Sequence, residues 1–256
     1  MMRDAMDWLK EQRDVEDLVL FLDFDGTLAP IVERPGQAKP LEGVRELVES
    51  LGEEIPVAVI SGRGLDDVME RLGAKGIYYS GSHGMEIADP EGSREESQEV
   101  QQLLPILDEV EGRMRQLFGD DEALEVERKR FGVAVHFRRK PRARQQVEQA
   151  LAEAVGNGEG LKMGFGKMVR EIQPDVDQHK GTALRRITEQ MGRDEANGRS
   201  VYIGDDKTDE DAFEVVADQG YGILVAAEDR PSAAALRLDD PYEVRQFLEA
   251  LVERLR

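Results

Sequence analysis

The stretch Leu18-Val19-Leu20-Phe21-Leu22-Asp23-Phe24-Asp25-Gly26-Thr27 decides the fold of this chain. An uninterrupted apolar run stops abruptly at two aspartates and a glycine. Such a run suits a strand buried on both faces, as in a parallel sheet covered by helices, and the acidic end marks the sheet edge. Outward from it, Leu41, Val44, Leu47, Val48 and Leu51 recur at helical spacing. Residues 56–60 (PVAVI) read as a second buried strand that ends at Ser61-Gly62-Arg63. Residues 65–72 read as a helix closed by Gly73, and a third strand starts at 77–80 and runs into Gly81-Ser82-His83-Gly84. Strands alternating with helices predict βαβ units and a parallel sheet.

The pattern changes in the middle of the chain and then returns. After the turn cluster at 89–93, the spacing predicts a helix over 100–118 and an antiparallel hairpin over 124–138. A helix over 142–155 follows, then a second extended pair over 161–174 broken by Gly164 and Gly166. From Lys180 the α/β pattern resumes, with a helix over 180–191, a strand over 200–203 ending at Gly204-Asp205-Asp206, a helix over 208–217, a strand over 221–225 and a helix over 244–255. The expected fold class is therefore α/β, a Rossmann-like core with a parallel sheet and helices on both faces, built from residues 1–90 and 173–256. An α+β module occupies 91–172 as an insertion.

Composition excludes several functions. With 34 basic and 54 acidic residues among 256 the net charge is −20, which argues against nucleic-acid binding and against docking on anionic lipid. No window is long and apolar enough to span a membrane, and the charged N-terminus does not read as a signal peptide. The absence of cysteine removes disulfides, thiolate metal sites and cysteine nucleophiles, and points to the cytoplasm.

Three features stand at expected strand ends: Asp23-x-Asp25, Ser61, and Gly204-Asp205-Asp206 with Asp209. Ligands of open α/β sheets bind at that edge. Carboxylates gathered there repel one another, so a hard, oxygen-preferring cation such as Mg²⁺ is expected, and with it a phosphorylated substrate. Each piece taken alone is an ordinary turn or helix cap; the order Asp-x-Asp, Ser, Lys, Asp-Asp along the chain favours chemistry. The 205–211 run is not a calcium loop, because Lys207 stands at a ligand position and Glu210 where glycine is required.

On these motifs the sequence resembles the haloacid dehalogenase superfamily of phosphatases, and within it the trehalose-6-phosphate phosphatases. The stretches that carry the resemblance are DFDGTLAPIV (23–32), SGR (61–63), GSHGMEI (81–87), ERKRFGVAVHFR (127–138), HKGTAL (179–184) and GDDKTDEDAF (204–213). The resemblance implies a Mg²⁺-dependent hydrolysis of trehalose 6-phosphate through an aspartyl-phosphate. Asp23 would be the nucleophile and Asp25 the general acid and base. Asp23, Asp25 and Asp205 would hold the metal, with Asp206 and Asp209 acting through its waters or orienting them. Ser61 and Lys180 would hold and neutralise the phosphoryl group, with Gly62 and Arg63 beside it. The insert would be a cap in which Glu127, Lys129 and Glu171 read the distal sugar. His83 would face the sugar from a core loop. His136 and Arg138 either touch substrate or pack within the cap.

Alternatives remain within and outside the class. Another glycosylated osmolyte phosphate, such as glucosylglycerol phosphate, would suit the same site. A receiver-like signalling protein or a silent sugar-phosphate sensor would also use strand-end aspartates, yet Asp25 supplies an acid/base that a long-lived phosphoaspartate does not want. The expected partners are a small sugar phosphate and, within the same pathway, a trehalose-6-phosphate synthase. With about 20 residues ahead of Asp23, the expected form is the stand-alone one of the family.

Overall fold

The computed structural model describes residues 2–32, 34–156, 160–193, 199–218 and 220–256. Two units result, one formed by Met1–Glu95 with Gln178–Arg256, the other by Glu96–Asp177, against the 91–172 expected for the insert.

In chain order the first unit opens with β1 (Arg3–Asp4), α1 (Ala5–Glu11), β2 (Leu18–Leu22), α2 (Val44–Glu54), β3 (Val57–Ile60), α3 (Leu65–Leu72), β4 (Tyr78–Gly81), β5 (Glu86–Ala88) and β6 (Arg94–Glu96). The second unit holds α4 (Gln98–Phe118), β7 (Glu125–Lys129), β8 (Gly132–His136), α5 (Arg144–Val155), β9 (Leu161–Gly166) and β10 (Val169–Pro174). The chain then completes the first with α6 (Lys180–Gln190), β11 (Arg199–Gly204), α7 (Glu210–Val216), β12 (Tyr221–Val225), β13 (Leu236–Leu238) and α8 (Pro241–Leu255).

The large sheet has the order β1-β13-β12-β11-β2-β3-β4-β5-β6. Neighbours from β1 to β4 are parallel, and β5 returns antiparallel to β4. The sheet is thus mixed at one edge rather than wholly parallel, because only the short segment 82–85 joins β4 to β5, too short for a crossover helix. Successive residues of β2 alternate between two cores. Leu18, Leu20 and Leu22 face the layer with α1, α2, α3 and α8, while Val19 and Phe21 face the layer with α6 and α7. The chain runs from β2 one way to β3 and β4, and the opposite way through β11 and β12. The carboxyl end of β2 is therefore the switch point of the sheet.

In the second unit, β7-β8-β10-β9 form an antiparallel sheet. One face, with Val133, Val135 and Ile172, packs on α4 and α5.

Several local expectations shift. The first core helix begins at Val44 rather than Leu41, because Gly43 adopts φ 85° just before it. The helix expected from 142 starts as a 3-10 turn over Pro141–Ala143. The second hairpin of the insert turns at Lys167 and Met168, the latter at φ 64°, rather than breaking at Gly164, which stays paired within β9. Strands β1 and β13 and helix α1 have no counterpart in the sequence reading. Trp8 on α1 is nevertheless buried, stacked near Phe247 and Tyr221.

Candidate active site

Asp23 follows β2 directly, on the α6 side of the sheet, and is only 4% exposed. Lys180, the first residue of α6, points its ammonium back at it. The Nζ donates to Asp23 Oδ1 at 2.6 Å and to Asp209 Oδ1 at 2.7 Å. Asp209 is completely buried, and its Oδ1 also accepts from the Tyr202 hydroxyl at 2.6 Å. Its Oδ2 accepts from the backbone N–H groups of Asp205 at 3.0 Å and Asp206 at 2.9 Å. A carboxylate offers about four lone-pair sites, and here all are taken. Asp209 therefore shapes the loop that carries Asp205 and anchors Lys180, rather than offering a free oxygen to the cleft.

The electrostatics follow from burial. Desolvation of the Asp23 carboxylate and the nearby Asp209 and Asp205 charges outweigh the attraction of Lys180 and push Asp23 up to about 8. Burial and Asp209 likewise push Asp205 up to about 6. Burial opposes the charge on Lys180, but Asp23 and Asp209 overcome it and hold the ammonium well above the ordinary lysine range.

Oxygens of Asp23, Asp205 and Asp209 lie within 4.8 Å of one another. With the Asp209 oxygens already engaged, Asp23 and Asp205 are the members with carboxylate oxygen to present to the cleft, and a carboxylate pair whose anionic state is penalised fits a small hard divalent cation such as Mg²⁺. The backbone is built for that approach. Gly26 has φ +81°, and a Cβ there would stand 2.1 Å from Asp205 Oδ2, so only glycine lets the Asp23-x-Asp25 turn and the Asp205 carboxylate meet.

The cleft above this cluster has a volume of about 440 Å³. Its walls bring together every candidate expected on the first unit except the buried Asp209, and they add Ile31, Val32 and Thr208. Asp25 is held by a two-pronged contact. Arg63 Nε donates to Asp25 Oδ2 at 2.6 Å and its Nη2 to Asp25 Oδ1 at 2.7 Å, while Nη1 reaches Asp67 Oδ2 at 2.8 Å. The Ser61 hydroxyl accepts from the Arg63 N–H at 3.1 Å.

His83 is presented by a strained loop. Ser82 and His83 both have positive φ, 51° and 59°, a conformation that costs a side-chain-bearing residue roughly 1–3 kcal/mol. The loop is tied down by Ser82 N–H to the Arg63 carbonyl at 2.6 Å and His83 N–H to the Ser61 carbonyl at 3.1 Å. The buried Glu86 accepts from Ser82 Oγ at 3.0 Å and from the Leu65 N–H at 2.8 Å. The imidazole lies against Gly62, where a Cβ would come within 2.7 Å of it. Burial first, and then the Lys180 charge, lower its pKa and favour the neutral ring.

The remaining candidates lie on the second unit, on the sheet face opposite α4 and α5. Glu127 and Glu171 both pair with Ala134, so the three stand in one row. His136 Nε2 and Glu127 Oε2 are 2.8 Å apart, and Lys129 Nζ donates to Glu171 Oε2 at 2.9 Å. The central strand supplies only small residues between them. A Cβ on Gly132 would stand 2.7 Å from Glu171 Oε1, so the glycine makes the room in which Glu171 of β10 lies over β8 and meets Lys129 of β7. Arg138 lies just beyond β8 and lines a cavity of about 270 Å³ with His136 and Glu125.

Sequence reasoning missed Tyr202, Asp67, Glu86 and Arg230. A tyrosine inside a strand and a glutamate opening the short strand β5 read as ordinary sheet residues, and no local spacing ties Asp67 to Asp25.

A mixed sheet with this switch point, and these carboxylates at its carboxyl edge, define a haloacid-dehalogenase-like α/β protein. A haloacid dehalogenase-like hydrolase from B. subtilis shares the fold, with a TM-score of 0.55 at 17% identity over 91% of this chain and 99% of that one. The family model described as trehalose-phosphatase matches residues 21–242, and the chain belongs to that family. A trehalose-phosphate phosphatase of Mycolicibacterium paratuberculosis is 41% identical over 243 residues, 92% of this chain and 62% of the relative. That of Mycobacterium tuberculosis is 39% identical over 241 residues, 93% of this chain and 62% of the relative. The chain thus spans less than two thirds of the curated relatives it matches. Among solved structures, a trehalose-6-phosphate phosphatase related protein superposes with a TM-score of 0.71 at 26% identity, covering 92% of this chain and 97% of that one. The Aspergillus fumigatus trehalose-6-phosphate phosphatase gives 0.69 at 26% identity, covering 98% of each chain.

Proposed function

We propose that this chain is a Mg²⁺-dependent phosphatase that releases trehalose from trehalose 6-phosphate. The observation that carries the chemistry is the buried Asp23–Lys180–Asp209 contact beside Asp205 at the sheet's switch point. The family match and the relatives' names support the choice of substrate.

In this reading the carboxylates of Asp23 and Asp205, with the Asp25 carbonyl oxygen, would hold Mg²⁺. The ion supplies charge neutralisation between an anionic nucleophile and an anionic ester. Asp23 attacks phosphorus, forming a bond from its oxygen as the bond to the sugar oxygen breaks. Lys180 is kept charged by its two aspartates and steadies the transferring phosphoryl oxygens. Ser61 and the backbone around Gly62 orient the remaining oxygens, and the neutral His83 faces the same cleft as a hydrogen-bonding group. Asp25 gives a proton to the departing sugar oxygen, then takes one from the water that cleaves the aspartyl-phosphate. Both Asp25 oxygens accept from Arg63, so donating from one of them requires that contact to lengthen.

Glu127, Lys129 and Glu171, with His136 and Arg138 nearby, are assigned to sugar recognition. A polyol needs paired donors and acceptors, and the ammonium, carboxylates and imidazole gathered on this sheet face offer both.

The test is phosphate release from a panel of sugar phosphates, with and without EDTA. Trehalose 6-phosphate should have the highest kcat/KM, and chelation should abolish turnover. Equal rates on all sugar phosphates would reject the substrate, and an EDTA-insensitive rate would reject the metal.

A further inference from the structure

The connection between β12 and β13 carries a cation outside every motif described above. Arg230 Nη2 donates to the carbonyl oxygens of Asp205 at 3.3 Å and Asp206 at 3.1 Å. Both carbonyls lie beyond the last paired residue of β11, Gly204, where the ladder no longer serves backbone groups. Arg230 is itself aimed, because its Nη1 meets Glu210 Oε1 at 2.6 Å. The second Glu210 oxygen accepts from Ser232 Oγ at 3.0 Å and the Ala233 N–H at 2.8 Å.

Residue 205 is therefore gripped from two directions. Its N–H goes to the buried Asp209, and its carbonyl goes to Arg230. Asp209 belongs to the acidic motif, whereas Arg230 comes from a separate loop. Tumbling of this backbone would swing the Asp205 carboxylate away from Asp23. We propose that Arg230, oriented by Glu210, is a positioning residue that presents the Asp205 carboxylate to a divalent cation. This rests on reading the acidic cleft as a Mg²⁺ site.

The test is calorimetric titration of the substrate-free full chain with Mg²⁺, with thermal melts alongside. Arg230→Ala should weaken Mg²⁺ binding by about tenfold to a hundredfold, the usual size for groups that orient a ligand. Its kcat should return close to the wild-type value once Mg²⁺ is raised to saturation. Arg230→Lys should recover part of the affinity, since an ammonium can still donate to one carbonyl. A folded Arg230→Ala protein that binds Mg²⁺ within about twofold of wild type would overturn the proposal. If Arg230→Ala does not fold, Glu210→Gln decides: weaker Mg²⁺ binding at an unchanged melting temperature supports the role, and unchanged binding removes it. Wild-type protein that binds no Mg²⁺ removes the underlying reading as well, so the two failures are distinguishable.

Discussion

At the scale of single residues, the buried acids dominate. Asp23→Asn keeps the shape of the side chain and removes the proposed nucleophile. Phosphate release should fall by more than about a thousandfold with the fold intact, checked by a phosphate assay and circular dichroism; retained turnover would remove Asp23 from its role. The pH dependence has a definite sign. In metal-free protein Asp23 and Asp205 titrate near 8 and 6, above their ordinary value of 3.8. Between those limits the folded chain holds protons that the unfolded chain has released, so these two groups lower stability as pH rises. A cation must displace the same protons. Mg²⁺ affinity should therefore increase from about pH 6 to about pH 8, measured by titration calorimetry at both. A flat profile would mean that the cation does not bind at these carboxylates.

At the scale of elements, the sequence was legible wherever periodicity and burial agreed. Helix α3 and strand β12 fall at the expected residues because Leu65, Val68 and Leu72 share a face and residues 221–225 are almost wholly buried. The short peripheral elements were not legible. Strand β1 has two residues and β13 three, too few to carry a period, and they exist because a neighbouring strand completes their hydrogen bonds. Helix ends obey local chemistry. Asp240 Oδ1 accepts from the Tyr242 and Glu243 N–H groups at 2.8 and 3.0 Å and starts α8. Asp240→Ala should cost about 1 kcal/mol, seen as a lower urea midpoint at unchanged m-value, while phosphatase activity in buffer stays as it was.

At the scale of the whole molecule, the proposed reading assigns a different task to each of the two units. One collects the acidic cleft at its sheet edge, and the other gathers the polar side chains of Glu127, Lys129 and Glu171 on the sheet face opposite α4 and α5. Chemistry and selectivity should then separate by mutation. Glu127→Ala or Glu171→Ala should reduce kcat/KM for trehalose 6-phosphate by about a hundredfold, since a site built to bind hydroxyls loses much when one partner goes. A small aryl phosphate should be hydrolysed at nearly the wild-type rate. Equal losses on both substrates would detach Glu127 and Glu171 from sugar recognition. No helix among the described residues is long and apolar enough to cross a membrane.

The linear chain by itself determined the alternation of strands and helices, the change of pattern in the middle, and the acidic strand ends with their lysine. These are properties of neighbours along the backbone: burial demands apolar runs, and the carboxylates crowd the turns that follow them. Only the tertiary structure decided which charges meet. Asp23 and Lys180 are 157 positions apart yet hydrogen-bond, the Arg63 fork closes on Asp25 across 38 positions, and Arg230 reaches the loop of Asp205 across 25 residues. Such pairings leave no local trace, because a salt bridge between distant segments needs only one charged side chain from each and imposes no spacing on either.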